Sequence, residues 1–158
     1  MLTCVPQSIF GWNFLVTGTV GRPAVVALEV FGEQGTIFCG GIQYHIRKHG
    51  WLSGHWTMEQ GDTVYAEAMK ESALYRAFEV NDSTALFELK ARNPFRRGYQ
   101  IAIAGQQVGT IEPSGPFTRQ TIVDCDPQIP EPTQLFCFWL VTLTWRRGAR
   151  SNAAAVNH

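Results

Sequence analysis

The feature that most constrains the fold of this chain is an apolar segment near its C-terminal end. Residues 135–145 read LFCFWLVTLTW, with a Glu and a Pro shortly before them and two Arg and a Gly after them. These flanking residues suit the first and last turns of a helix, so we predict a helix over about 132–147. A helix that is apolar on every side must be surrounded, either by protein or by lipid.

The length of this segment favours a helix that is surrounded by protein and not by lipid. Eleven residues extend ~17 Å at 1.5 Å per residue, whereas a bilayer core needs roughly 20 apolar residues. The polar side chains of Thr142 and Thr144 within the segment also favour enclosure by protein over insertion into lipid. The alternative, a tail-anchored membrane protein with helix 133–145 in the bilayer, would need a longer apolar span.

The chain before this helix has the pattern of many short antiparallel strands. Gly, Pro and Asn-Asp turn residues recur between short apolar or alternating runs, which is typical of strands joined by tight turns. The alternation is clearest in 42–46 and 99–103, where one face is apolar, as in a sheet wrapped round a core. We predict strands at 9–16, 24–31, 36–39, 42–48, 55–59, 62–69, 74–80, 84–91, 99–104, 107–112 and 119–125.

Length and charge limit the possible functions. The 158 residues suffice for one domain, which we place at 8–148 and follow with a disordered tail at 149–158. The formal net charge is zero, with 13 Lys and Arg against 13 Asp and Glu. A neutral chain has no overall field to attract nucleic acid, so we expect no nucleic-acid partner, although a local patch can still bind an anionic membrane.

The sequence contains no recognisable catalytic or metal-binding motif. His45 and His49 have the spacing of a zinc pair on a helix, but the segment alternates like a strand, in which residues four apart stand ~13 Å apart. The histidines, His55 included, are therefore expected to share no geometry. No nucleophile elbow and no phosphate-binding loop is present. We predict no metal, no cofactor and no catalytic residue, and hence a protein that is not an enzyme.

The cysteines indicate a reducing environment. They lie at 4, 39, 125 and 137 without a CxxC pair, and the N-terminal residues lack the basic and apolar regions of an export signal. We predict reduced, mostly buried thiols in a cytoplasmic protein, with an exposed and potentially reactive Cys4.

A cluster of cations is the strongest candidate for a binding site. Lys90, Arg92, Arg96 and Arg97 fall within eight residues, with Phe95 among them. A basic hairpin with an aromatic tip can contact anionic lipid headgroups while its ring enters the interface. The same residues can also form a solvated turn whose charges only maintain solubility, and the sequence does not decide between the two.

The order of small and apolar positions over roughly 8–148 matches a known pattern. These positions include Tyr44, Ile46, Gly54, Trp56, Met58, Glu59, Ala66, Ala68, Lys70, Ser72, Leu74, Arg76, Phe78, Val80, Leu86, Leu89, Ala91, Tyr99, Ile101, Val108, Gly109, Ile111, Trp145, Arg146 and Arg147. The pattern resembles the tubby-like superfamily, and more closely its LURP-one-like and phospholipid-scramblase-like branch.

The resemblance implies both a fold and a class of function. Its fold is an antiparallel β-barrel closed around a single C-terminal hydrophobic helix, so we expect a mainly β (α+β) domain. Its members include phosphoinositide-binding domains and membrane-linked scramblases. The calcium of the latter is not expected here, because the chain has no EF-hand loop.

These observations lead to one function and its alternatives. We expect a non-enzymatic, cytoplasmic binding module that contacts anionic lipid headgroups, and so associates peripherally with the membrane, or that contacts a protein partner. Besides the tail-anchored protein, a small-ligand barrel or an enzyme of unknown type stays open, although a barrel filled by a helix would leave little room for a ligand.

Overall fold

The computed structural model describes residues 1–71 and 76–156. It is a closed barrel of twelve strands in which every neighbouring pair is antiparallel, as the predicted fold class requires. Each strand pairs with the next one along the chain, and β1 closes the ring by pairing with β12. The strands are β1 (Leu2–Pro6), β2 (Asn13–Thr17), β3 (Ala24–Leu28), β4 (Gly35–Cys39), β5 (Ile42–Lys48), β6 (His55–Gln60), β7 (Thr63–Lys70), β8 (Ala77–Asp82), β9 (Leu86–Ala91), β10 (Tyr99–Ile103), β11 (Gln106–Pro113) and β12 (Thr121–Cys125).

The helix α1 (Glu131–Val156) fills the interior of the barrel. All of its residues from 133 to 143 are buried, whichever side of the helix they occupy. Phe138 packs edge-on against Phe14 of β2, with ring centroids 5.0 Å apart, while Thr133 donates a hydrogen bond to Asp82 of β8. Strands β2 and β8 lie on opposite sides of the ring, so the apolar segment is enclosed by strands.

One glycine shows how closely the helix approaches the wall. The Trp139 indole donates to the Ala27 carbonyl oxygen at 3.1 Å, directly beside Gly35 of the next strand. A Cβ at Gly35 would lie 2.5 Å from the Trp139 Nε1 and 2.1 Å from the Ala27 oxygen. Only glycine leaves room there, because barrel interiors are packed without gaps of atomic size.

The meander gives the barrel two different ends. Antiparallel neighbours are joined alternately at one end and the other. At the end where α1 begins, which we call the turn end, the connections are 18–23, 40–41, 61–62, 83–85, 104–105 and 126–130. At the end where α1 leaves the barrel, which we call the loop end, they are 7–12, 29–34, 49–54, 71–76, 92–98 and 114–120, with residues 72–75 outside the described part of the chain.

The predicted strands all overlap observed ones, although 9–16 began before β2 and 24–31 extended beyond β3 into loop residues. Further differences lie at the ends of the chain. Strand β1 was not predicted, because residues 2–6 have no turn signal before them. The helix does not end at Gly148 but continues to Val156, so residues 149–156 are helical where a disordered tail was predicted. Gly148 disfavours helix, but the alanines at 153–155 favour it, and Arg150 donates a hydrogen bond to the Val30 carbonyl oxygen at 3.0 Å, which holds this part of the helix against the 29–34 loop. The first two residues of the predicted strand 74–80 lie outside the described residues.

All four cysteines are free thiols, but the expectation for Cys4 was wrong. Its strand position directs the side chain into the core, where it is fully buried. Burial also raises the pKa of the Cys4 thiol well above its ordinary value, because the thiolate would lose its hydration. Cys4 is therefore an unreactive core residue in this fold.

Among the residues described, no helix combines the length and apolarity required to cross a membrane.

Candidate functional site

The predicted basic hairpin is present, but its cations differ in their surroundings. Two of them are already neutralised by carboxylates. Lys90, on strand β9, pairs with Glu88 at 2.7 Å, and Arg92 pairs with Glu112 at 2.6 Å. Both pairs are partly exposed, and such pairs contribute little to stability. Sequence proximity to other cations therefore overstated the charge that these two residues offer to a ligand.

Of the other two cations, Arg97 is held by contacts within the protein and Arg96 is exposed. Arg97 donates to the Thr118 carbonyl oxygen at 2.8 Å and lies over the Trp145 ring at 4.3 Å. Arg96 is exposed, and within residues 1–71 and 76–156 it forms no ion pair. Phe95, which precedes it, is almost completely exposed. Arg96 and Phe95 are thus the part of the predicted site that remains available to a partner.

Two arginines that were not among the predicted site residues hold the neighbouring loops. Arg76 donates to the carbonyl oxygens of Asn93 and Arg96, both at 2.7 Å, and so supports the 92–98 loop. Arg119 donates to carbonyl oxygens of the 7–12 loop, among them that of Ile9 at 2.5 Å. No sequence pattern reveals such bonds, because any backbone carbonyl can accept them and the partners are distant along the chain.

These arginines meet Arg97 where the helix leaves the barrel. Arg76, Arg97 and Arg119 line a single groove together with Trp12 and Trp145, and no Asp or Glu is among its described lining residues. We call it the arginine groove. Burial lowers the pKa of Arg97, and the nearby charge of Arg119 lowers it further, as expected for like charges without a carboxylate between them.

On the side of the loop end away from the arginine groove, the Glu33 carboxylate connects the 29–34 loop to the helix. Glu33, in the 29–34 loop, accepts hydrogen bonds from Arg147 at 2.5 Å and from Lys48 at 2.5 Å. Burial alone would raise the pKa of Glu33, but the hydrogen bonds and charges of Arg147 and Lys48 outweigh it and lower the pKa to about 2. Next to it, the buried Arg146 donates to the carbonyl oxygens of Glu29 and Gly32. The loop is thereby fixed to the helix.

Charge is distributed very unevenly between the two ends. The greater part of the 13 Lys and Arg residues lies at the loop end, where the described acidic residues are fewer, while the turn end is mainly acidic. The loop end carries Lys48, Lys70, Arg76, Arg92, Arg96, Arg97, Arg119, Arg146, Arg147 and Arg150 against Glu29, Glu33, Glu71 and Glu112, and the turn end carries Asp62, Asp82, Asp126 and Glu131 against Arg22. A neutral total therefore conceals a molecule with one cationic end.

The histidines are closer together than predicted. His49 follows β5 instead of lying in it, and its ring stacks on that of His55 with centroids 4.5 Å apart. The expectation that the histidines share no geometry was wrong for His49 and His55. His49 Nε2 nevertheless lies 2.7 Å from the Thr57 hydroxyl, and His55 Nε2 lies 2.8 Å from Glu67. Within the described residues, no group of three His, Cys, Asp or Glu is placed to hold a metal ion.

No protein-family model, no curated protein and no solved structure matches this chain.

Proposed function

We propose that this chain is a non-enzymatic binding module of tubby-like fold that contacts anionic lipid headgroups, of the phosphoinositide kind, with its loop end. The observation that carries the proposal is the arginine groove, in which three guanidinium groups line one surface groove without a carboxylate among the described lining residues. Arginine suits phosphate because its planar group presents several N–H donors at once. A phosphate placed there would also relieve the repulsion between Arg97 and Arg119.

The surroundings of the groove support a surface ligand. The exposed Arg96 follows the exposed Phe95 in the loop that Arg76 holds. Both line a second groove, which shares Arg97 with the arginine groove and also contains Glu112. The interior of the barrel is occupied by the side chains of α1, which argues against a small ligand inside it. A protein partner with an acidic surface is the outcome to which a failure of lipid binding would point.

The test is co-sedimentation of the purified chain with vesicles. The vesicles are phosphatidylcholine alone, phosphatidylcholine with phosphatidylserine, and phosphatidylcholine with a phosphoinositide. We expect binding only to the anionic vesicles, with a steep loss between low and physiological salt, because the attraction is screened. Competition by soluble inositol phosphate would separate recognition of the headgroup from general attraction to the surface.

One pair of variants tests the location of binding. Arg96→Glu changes an exposed cation at the loop end, and Arg22→Glu makes the same change at an exposed position of the turn end. At ~1 kcal/mol per cation near the surface, the reversal at Arg96 should weaken binding about thirtyfold, while the reversal at Arg22 should not. Arg97 is left unchanged because it contacts Trp145. Equal binding by both variants, or no binding by the wild type, would refute the proposal.

A further inference from the structure

The loop end also carries the most exposed aromatic side chains of the described chain. Each of its five fully described loops presents one of them, and each is between 84% and 100% exposed. We call these residues the aromatic tips. They are Phe10, Phe31, Trp51, Phe95 and Phe117. At the turn end, the strongly exposed apolar residues of the described chain are the aliphatic Val20 and Met1.

Aliphatic neighbours enlarge the apolar surface of three of these loops. Ile9, Val30 and Leu52 stand next to a tip in sequence and are each at least 74% exposed. Scattered single apolar residues are ordinary on protein surfaces, but a set of them gathered at one end indicates a site that contacts an apolar phase or a partner. Trp and other large apolar rings are favoured at the boundary between water and hydrocarbon.

The tips stand on loops that are held in place. Arg119 binds the backbone of the 7–12 loop, Arg76 binds that of the 92–98 loop, and Arg146 binds that of the 29–34 loop. In the 49–54 loop, the Lys48 ammonium donates to the carbonyl oxygen of Trp51 at 3.1 Å. Because these bonds fix the backbone, the rings are presented outwards with little freedom to fold back over the barrel.

Charge identifies the occupant of this surface. The tips are surrounded by the cations of the loop end, whereas the turn end is mainly acidic. An anionic bilayer offers both complementary features, since phosphates lie at its surface and hydrocarbon lies below. The same charge distribution would turn the acidic end away from the membrane.

We propose that the barrel docks end-on to anionic membranes, with the aromatic tips inserted into the interfacial region and the turn end directed away from the bilayer. The inference rests on the proposed function and adds to it an orientation and an insertion step. Electrostatic attraction and apolar insertion are each weak alone, and their combination is what makes peripheral binding stable.

The first test measures insertion through Trp51. The probe is a vesicle of phosphatidylserine and phosphatidylcholine whose acyl chains carry bromine, which quenches tryptophan only on contact. We expect the fluorescence of the wild type to be quenched, and most of this quenching to be absent in Trp51→Phe. The variant should still bind the vesicles, because Phe keeps an aromatic ring at this position. Trp56 and Trp139 are fully buried and should contribute nothing. Trp12 and Trp145 line the arginine groove and are present in both chains, so the difference in quenching between wild type and Trp51→Phe reports Trp51 alone.

The second test removes tips and compares the two ends. Phe95→Ser together with Phe117→Ser should weaken vesicle binding about a hundredfold or more if both rings are inserted, and Val20→Ser at the turn end should leave it unchanged. The exposed positions of all three residues make misfolding an implausible cause, and an unchanged melting temperature checks this.

The outcomes distinguish the two proposals. Binding without quenching, or with full affinity in the double variant, would overturn insertion and leave headgroup binding intact. An absence of vesicle binding by the wild type would overturn both.

Discussion

Both ends of this barrel must reverse the chain between neighbouring antiparallel strands, and they do so with different kinds of connection. At the turn end, the connections 40–41, 61–62 and 104–105 have two residues each, and Gly40 and Gly41 both have positive φ, of 60° and 78°. That geometry suits a primed hairpin turn, in which the twist of the turn matches that of the strands. These connections do little beyond closing the sheet.

The loop end reverses the strands with longer segments that need additional support. Arg76, Arg119 and Arg146 supply it by donating hydrogen bonds to backbone carbonyl oxygens of neighbouring loops. With the exception of 18–23, the strand pairs at the turn end are closed by connections of two or three residues, so closure alone does not explain why every connection at the loop end is longer than that. The added length carries cations and exposed rings, as expected when loops on a rigid scaffold carry function.

The largest predicted effect comes from the helix, which both ends share. Leu140→Asp places a carboxylate at a fully buried position, and an unpaired buried charge costs several kcal/mol, comparable to a typical total stability of ~5–15 kcal/mol. We expect loss of the folded state in near-ultraviolet circular dichroism and urea unfolding. Ala154→Asp, in the exposed part of the helix, should change stability by less than ~1 kcal/mol. A cooperative transition near the wild-type midpoint for Leu140→Asp would contradict the enclosed position of the helix.

A second prediction separates stability at the turn end from binding at the loop end. Asp82 is buried and accepts hydrogen bonds from Thr84, Ala85 and the helix residue Thr133. Burial would raise the pKa of Asp82, but these hydrogen bonds outweigh it and lower the pKa. Asp82→Ala should therefore reduce the free energy of unfolding by about 2–4 kcal/mol, because it leaves buried donors without an acceptor.

Vesicle binding by Asp82→Ala, measured at a temperature at which it is fully folded, should equal that of the wild type. A parallel loss of stability and of binding would show that the two ends are not independent.

A third prediction uses pH to test the carboxylate at the loop end. The pKa of Glu33 is lowered from 4.5 to about 2 by Arg147 and Lys48, so the unfolded chain binds this proton more readily than the folded one. The stabilisation is present above the unfolded pKa and is lost as pH falls from 4.5 towards 2. Glu33→Gln should lower the free energy of unfolding at neutral pH by about 2 kcal/mol.

The difference between wild type and Glu33→Gln should shrink across that acid range when thermal unfolding is measured at a series of pH values. Parallel profiles would mean that Glu33 is not held as an ion in the folded state. Glu88→Gln is the control, since Glu88 pairs with Lys90 on the barrel wall with both side chains partly exposed, and such pairs contribute little.

Most of this fold is predictable from the sequence because every strand except β1 is marked by a local pattern. Turn residues separate the apolar runs, and the helix is recognisable because it is apolar all round. Closure of the strands into a barrel was implied by the resemblance and is present in the structure. Strand β1 was not predicted because residues 2–6 have no turn signal before them, and the pairing of β1 with β2 and β12 is not visible in the local sequence.

The site is harder to predict, because charge and exposure depend on partners in space. The four cations at 90–97 look equivalent in sequence, yet Glu88 and Glu112 neutralise two of them. The aromatic tips are dispersed along the chain, and Phe10 and Phe31 were included in the predicted strands 9–16 and 24–31. The sequence does not distinguish a phenylalanine in a loop from one in a strand. Only the observed ends of β2 and β3 place Phe10 and Phe31 in loops.

The smallest predicted effect compares two cations of the same segment. Lys90→Gln and Arg96→Gln remove the same charge, but Lys90 lies on strand β9 beside Glu88, at 2.7 Å, whereas Arg96 is exposed in the loop. Neither should change stability by more than a few tenths of a kcal/mol, as is usual for exposed charges. In vesicle binding, Arg96→Gln should lose about fivefold, the factor for ~1 kcal/mol, and Lys90→Gln less than about twofold. The two variants have identical net charge, so a difference between them can come only from position and pairing. An equal loss in both would mean that the ion pair with Glu88 does not reduce the contribution of Lys90 to binding.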